Sequence, residues 1–182
     1  RPITLIVPWA AGGSTDQMAR VVAAEVESEL GQKMVVVNQP GASGSIGTKN
    51  AMDAPHDGYT WAAGAASDVG TYKVWGLLDT KLADWSLFLA VANVGTIAAN
   101  PGAPYKDFGQ LLDQLKKDGK DVSIATAGIS SAGHNMLEMI RAATGITYRH
   151  VTYDGGNPAV IAAVSGETPV VCQLLVEMSE MI

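Results

Sequence analysis

The sequence predicts an α/β fold of two lobes with parallel-rich sheets. Three observations predict it. The chain opens on a strand, a glycine loop and a helix; the same succession returns near residue 122; and short apolar runs alternate with helical stretches in between. Strands that alternate with helices pair in parallel through right-handed crossovers.

Ile3-Thr4-Leu5-Ile6-Val7 is almost unbroken apolar sequence rich in β-branched residues, the composition of a strand buried on both faces. Pro8 ends it, and Trp9 to Asp16 form a small, polar loop with adjacent Gly12 and Gly13. Met18, Val21, Val22, Val26 and Leu30 then fall near helical spacing. Ser14 with Gln17 three residues on reads as an N-cap and capping box, and Gly31 stands where a C′ glycine belongs. Met34 to Val37 is a second strand, followed by a glycine loop through Gly47 and a short helix from Ser45 to Met52. Pro55-His56-Asp57-Gly58 is a turn, Tyr59 to Ala63 a third strand, and Gly64 to Gly70 a third small-residue loop. A short helix and an irregular piece are expected over Tyr72 to Trp85, then extended segments at Leu87–Val91 and Thr96–Ala99. Asn100-Pro101-Gly102-Ala103-Pro104 is the densest Pro/Gly cluster and the expected crossing between lobes, at residues 1–100 and 101–182.

In the second lobe, Asp107 can cap a helix with Gln110 at N3, and Phe108, Leu111, Leu112 and Leu115 supply its apolar stripe. Val122 to Thr126 is a strand. Ala127 to His134 is a loop entering a helix that Gly145 closes. Tyr148 to Tyr153 is the next strand, Asn157 with Pro158 reads as N-cap and N1 of a helix ended by Gly166, and Pro169 to Leu174 is the last strand.

Composition narrows the function. A hydrophobic content of 47% with 16% charged residues indicates a packed globular chain. A net charge of −6 argues against nucleic acid as a partner. Any attraction for an anion must therefore be local, from backbone dipoles. The single cysteine, Cys172, lies in an apolar run and reads as a small buried hydrophobe. No leader is visible before Arg1-Pro2, as in a cytosolic protein or a mature secreted one. The longest apolar stretch, Leu87 to Ala99, is too short to span a bilayer as a helix.

The first amides of a helix have no intrahelical acceptor, and the helix dipole adds partial positive charge there. A glycine loop in front of such an end suits a carboxylate or phosphate. In open α/β sheets these loops gather at the carboxyl ends of the strands. Asp16 is out of place as an anion ligand; bracing the helix end and pairing with Arg20 at i+4 suit it better. His134, in the first turn of its helix, either donates to a ligand carboxylate or is structural; His56 and His150 read as structural.

These residues also resemble a known family. Ile6 to Asp16 (IVPWAAGGSTD), Leu30-Gly31-Gln32, Val36 to Gly44 (VVNQPGASG), Pro55 to Thr60 (PHDGYT), Tyr153 to Ala159 (YDGGNPA) and Gly166-Glu167 resemble, in order, the periplasmic solute-binding proteins of tripartite tricarboxylate transporters, the Bug family. The resemblance implies a two-lobed, periplasmic-binding-protein-like (Venus flytrap) fold in the periplasm, with the leader removed. It also implies capture without chemistry of a di- or tricarboxylate or related acid, with membrane subunits of the transporter as partners and no cofactor. Its ligand contacts carry over to Trp9, Gly12, Gly13, Ser14, Thr15 and Asp16, with Ala127, Gly128, Ser130 and His134 opposite. Ser67, Asp68, Tyr153 and Asp154 line the remaining walls. Family members are longer and return to the first lobe after the second, so the first lobe is expected to be incomplete here, its sheet edge unpaired.

The competing reading is a small hydrolase or transferase using Ser14, Ser43, Ser130 or Ser131. The G-x-S-x-G elbow is absent, since Gly128 to Gly133 has one residue too many. The P-loop pattern is absent, Gly41 to Gly47 lacks dinucleotide spacing, and no His/Asp/Glu cluster has metal-ligand spacing. A sensory or interaction domain using the same loops is a third reading.

Overall fold

Strand β1 (Ile3–Val7) is the middle of a three-stranded parallel sheet, flanked by β2 (Met34–Asn38) and β3 (Thr60–Ala62). Its central place explains its composition: Ile3, Leu5, Ile6 and Val7 are all buried. Helices α1 (Ser14–Leu30) and α2 (Ser45–Asp53) make the crossovers, and α3 (Ala66–Thr71) follows β3. The computed structural model describes residues 1–179 and 181; Glu180 and Ile182 lie outside the described residues.

The second sheet runs β4-β7-β5-β6. In it β5 (Ser123–Thr126) pairs in parallel with β6 (Arg149–Thr152) and β7 (Val170–Leu174), and β4 (Gly95–Ala99) runs antiparallel outside β7. Helices α4 (Phe108–Asp118), α5 (Ala132–Thr144), α6 (Gly156–Val164) and α7 (Leu175–Met178) complete this unit. Alternation along the strands sorts two cores. Ile124, Val170 and Cys172 pack with Leu111, Leu115 and Leu137 of α4 and α5. Ala125 and Val171 pack with Ala159, Val160 and Ala163 of α6. Cys172 is fully buried, and burial pushes its thiol up to about 12, so it behaves as a hydrophobe.

The chain divides into Arg1–Leu89 and Ala90–Ile182, eleven residues before the crossing expected at Asn100 to Pro104. The reason is β4. All five of its residues, Gly95 to Ala99, are in register with β7, and Asn100 continues the attachment through its amide to Pro169 O (2.9 Å) and its side chain to Ala163 O (2.7 Å). The Pro/Gly cluster is a turn inside the second unit.

Three local expectations are corrected. Gly13, with φ −71° and ψ 168°, is the N-cap of α1; Ser14 is its first helical residue, and Gln17 Nε2 donates to Gly12 O at 3.0 Å instead of closing a capping box. Gly155, not Asn157, caps α6, because its φ of 136° is backbone that only glycine adopts readily. Gly64 to Gly70 is mostly helix, since Ala66 begins α3 and the acidic Asp68 falls in its favourable first turn. The Gly31 and Gly145 C-terminal signals and the Asp107 cap, which accepts from Gln110 N at 2.8 Å, are found as read.

Candidate functional site

In the first unit the loop from Trp9 to Asp16 is tied down by one carboxylate. Asp16 is 3% exposed. Its Oδ2 accepts from Gly12 N (2.8 Å) and Arg20 Nε (3.0 Å), and its Oδ1 from Asn38 Nδ2 (2.9 Å) and Arg20 Nη2 (3.0 Å). Asn38, at the carboxyl end of β2, also donates to Trp9 O at 3.1 Å. Burial alone would push the Asp16 carboxyl up, but the bonds from Arg20, Gly12 and Asn38 outweigh it and hold the group below its ordinary range. Asp16 is thus an ionised brace that ties Gly12 of the loop to Arg20 of α1 and Asn38 of β2.

The Trp9 indole is 8% exposed, and ring atoms Cζ2 and Cε2 lie 3.0 and 3.2 Å from where a Cβ on Gly44 would stand. It packs against Gly44, between β2 and α2. Ser14 is buried and Thr15 half-buried at the start of α1. Gly12 and Gly13 give their amides to Asp16 Oδ2 and Ala10 O. The helical ladder starts at Gln17 N to Gly13 O (3.0 Å), so the Thr15 and Asp16 amides ahead of it have no acceptor within α1. Ser67 is exposed on α3, while Asp68 is 2% exposed and accepts from Ser67 Oγ at 3.1 Å. Burial pushes the Asp68 carboxyl up to about 7, with the Ser67 bond opposing.

In the second unit the loop from Thr126 to His134 is braced by neutral groups. Gly128 N donates to Thr126 Oγ1 (3.1 Å), which lies 2.6 Å from His150 Nε2. Ser130 N donates to His134 Nδ1 (3.1 Å), and Asn135 Nδ2 donates to Ser130 O (2.8 Å). Ser131 N reaches Gly128 O (3.2 Å), and the Ser131 hydroxyl caps α5 by accepting from His134 N (3.4 Å). The His134 and His150 rings stack in parallel, centroids 4.3 Å apart and planes 5° apart. Burial lowers both imidazoles, His150 to about 4 with further help from His134. Ser130 takes a φ of 70°, a left-handed conformation uncommon for serine. Its hydroxyl is wholly buried with no hydrogen-bond partner among the described residues.

Close packing seats this loop. A Cβ on Gly133 would stand 2.0 Å from Cys172 O, so the first turn of α5 rests directly on the backbone of β7. Ala127 and Gly128 are buried at the end of β5. Tyr153 is half-buried and commits its hydroxyl to Glu167 Oε1 at 2.8 Å; Asp154 is exposed.

Trp9 to Asp16 therefore form one braced loop, and Ala127, Gly128, Ser130 and His134 another. Tyr153 joins the start of the α5 loop only through its backbone, its amide donating to Thr126 O at 3.0 Å. Sequence reasoning missed Asn38, Thr126, Asn135 and the bracing role of His150. Asn38 and Thr126 carried a readable signal, a polar residue at the carboxyl end of a buried parallel strand. Asn135 and His150 did not, because their roles depend on loop geometry.

Among the described residues no group of three or more His, Cys, Asp or Glu could hold a metal ion, and no helix is long and apolar enough to cross a membrane. Residues 18–180 match the family described as tripartite tricarboxylate transporter family receptor. The chain is 34% identical over 170 residues to the protein BugT of Bordetella pertussis, covering 91% of this chain and 52% of BugT. It thus spans about half the length of the curated relatives it matches. The structure of the periplasmic binding protein BugD superposes with a TM-score of 0.80 at 31% identity, covering all of this chain and 62% of BugD. MatC of Rhodopseudomonas palustris with bound malate superposes with a TM-score of 0.85 at 27% identity, covering 99% of this chain and 62% of MatC.

Proposed function

Because the chain belongs to the tripartite tricarboxylate transporter receptor family, we propose that it captures a small organic carboxylate in the periplasm and presents it to the membrane subunits of a tripartite transporter. The observation that carries this reading is that both glycine loops, each at the carboxyl end of a central parallel strand, are braced from within ahead of a helix N-terminus. Such ends receive carboxylates through charge-assisted bonds from uncharged amides. The amides of Gly12, Gly128 and Ser130, expected from the sequence to meet the ligand, serve as braces. Ligand oxygens are left to the first-turn amides near Thr15 in α1 and Ala132 in α5, and to the Ser130 hydroxyl.

The serine-hydrolase reading requires an imidazole on a serine hydroxyl. His134 Nδ1 instead takes the Ser130 backbone amide. Malate, the ligand of MatC, is the first compound to test. Titration calorimetry and thermal shift are expected to give saturable binding and a raised Tm, with malate recovered unchanged by mass spectrometry. Absence of binding by malate and by a panel of other di- and tricarboxylates would overturn the reading, and turnover of any of them would favour an enzyme.

A further inference from the structure

Two imidazoles hold the α5 loop at two points. His134 Nδ1 accepts the Ser130 amide, and His150 Nε2 sits on Thr126 Oγ1, which in turn accepts the Gly128 amide. An N–H donor at 3.1 Å requires a lone pair on His134 Nδ1, so the neutral ring carries its proton on Nε2. The only nitrogen of His134 able to take a second proton is therefore the one that holds Ser130. We infer that His134 is a positioning residue for carboxylate capture, and that a proton taken up on its Nδ1 unlatches Ser130 and weakens capture in mild acid.

This inference rests on the reading of the α5 loop as a carboxylate-binding loop. Protonation sets an N–H against an N–H, and the bond is lost. Ser130 then loses the side-chain latch on its amide and is held at φ 70° by the Asn135 bond to its carbonyl and the Ser131 N to Gly128 O turn bond. A left-handed serine is strained and relaxes when its restraints go. Relaxation swings away the Ser130 hydroxyl, the one buried side-chain polar atom of this loop left without a hydrogen-bond partner among the described residues. The stack makes the two protonations mutually exclusive, because a charge on either ring opposes one on the other across 4.3 Å.

The groups around the pair set its balance. On α5, Glu138 Oε1 lies 3.9 Å from His134 Nε2 and favours the charged ring, while Arg141, paired with Glu138 Oε2, opposes it. From the β6 side, Tyr148 donates to Glu138 Oε1 at 2.6 Å and packs edge-on to His150, and Arg149 turns to Ser123 Oγ. From β7, Cys172 is a buried, neutral thiol. Burial outweighs Glu138, which keeps both rings neutral near pH 7.

The test uses the full chain and two His134 variants. His134→Asn places an amide oxygen where Nδ1 stands, keeping the acceptor and removing the titration; His134→Leu removes both. Malate binding is measured by calorimetry at pH 7.5 and 5.0, and the wild-type to His134→Asn ratio cancels the titration of malate itself. The wild-type affinity relative to His134→Asn is expected to fall about fivefold to tenfold between pH 7.5 and 5.0, the loss of one such bond, whatever that ratio is at pH 7.5. His134→Leu is expected to bind weakly at both. Parallel pH profiles for wild type and His134→Asn would overturn the inference. In the ligand-free wild type, 15N spectra should report an unprotonated Nδ1 at pH 7.5, and the Ser130 amide protection factor, corrected for the intrinsic pH dependence of exchange, should fall as that nitrogen titrates. Titration of Nδ1 with an unchanged Ser130 protection factor would also overturn it. Failure of malate and other carboxylates to bind at pH 7.5 would instead refute the function, leaving the latch judged by these ligand-free spectra.

Discussion

The loop after β1 and the loop after β5 follow one template, strand, small-residue turn and helix N-terminus, but opposite kinds of group hold them. The first is fastened by an ionised carboxylate, Asp16, that accepts from Gly12, Arg20 and Asn38. The second is fastened by a neutral imidazole, His134, that accepts from Ser130. A carboxylate keeps its grip at any pH above its lowered pKa but requires the Arg20 charge beside it. An imidazole needs no counter-ion and holds only while unprotonated. One architecture can therefore fasten the same kind of loop and helix start with different sensitivity to acid.

The largest expected effect separates the two units by pH. Asp68 in the first unit has its carboxyl raised from 3.8 to about 7, so the folded state binds its proton more tightly than the unfolded chain does. Its contribution is fully present below about pH 4 and is lost as pH rises to 7, at most roughly 4 kcal/mol for about three units. In the second unit the imidazoles are lowered, His150 from 6.5 to about 4, so the unfolded chain binds protons more readily there. Stability of that unit is intact above about pH 6.5 and falls as pH drops toward 4. Hydrogen exchange of β1 and β5 amides between pH 5 and 8 should give opening free energies that move in opposite directions. Asp68→Asn should flatten the β1 trend and stabilise the protein at pH 8; a β1 trend unchanged in the variant would show that Asp68 does not set it.

Next in size is a steric difference at the second residue of each helix. In α1 that residue is Thr15, half-buried; in α5 it is Gly133, seated on Cys172 O. Gly133→Ala forces a methyl into backbone that cannot yield, and a loss of about 3 kcal/mol in urea unfolding is expected. Thr15→Ala should stay within about 1 kcal/mol. Similar losses at both sites would mean that the two helices are seated alike. Smaller again is the cost of removing the charge of the first brace. Asp16→Asn keeps the shape but turns one acceptor into a donor facing Gly12 N or Arg20, for a loss of about 2 kcal/mol. Adding salt should reproduce little of it, because the carboxylate is buried.

These contrasts mark how far the sequence was legible. The strands could be read because burial on both faces writes a continuous apolar run, as in Ile3–Val7 and Val170–Leu174. The helix stops could be read because left-handed C-caps select glycine, at Gly31 and Gly145. The β4–β7 pairing could not, because an antiparallel partner more than seventy residues away leaves no local mark, and so the lobe boundary was placed too late. In the site, the loops were found from their glycines, and Asp16 was correctly read as a brace paired with Arg20. The partner of each amide was not legible. Whether Gly12 N or Ser130 N faces a ligand or a side chain is decided by loop torsions, such as φ 70° at Ser130, that residue type does not encode.

The smallest effect expected concerns how the two helices begin. Ser131 caps α5 with its hydroxyl, accepting from His134 N at 3.4 Å, whereas the N-cap of α1 is Gly13, which has no side chain to accept. Ser131→Ala should therefore cost about 0.5–1 kcal/mol, the low end for a serine cap because the bond is long. Ser131→Gly should cost only a few tenths, making the α5 start resemble that of α1. The residue that loses its amide partner is His134, so the variant also tests whether the cap and the imidazole latch are one device. If they are, Ser130 amide exchange should accelerate in Ser131→Ala at pH 7.5, where the ring is neutral. An unchanged Ser130 rate beside a measurable stability loss would assign the cap to the helix alone and leave the latch to the two rings.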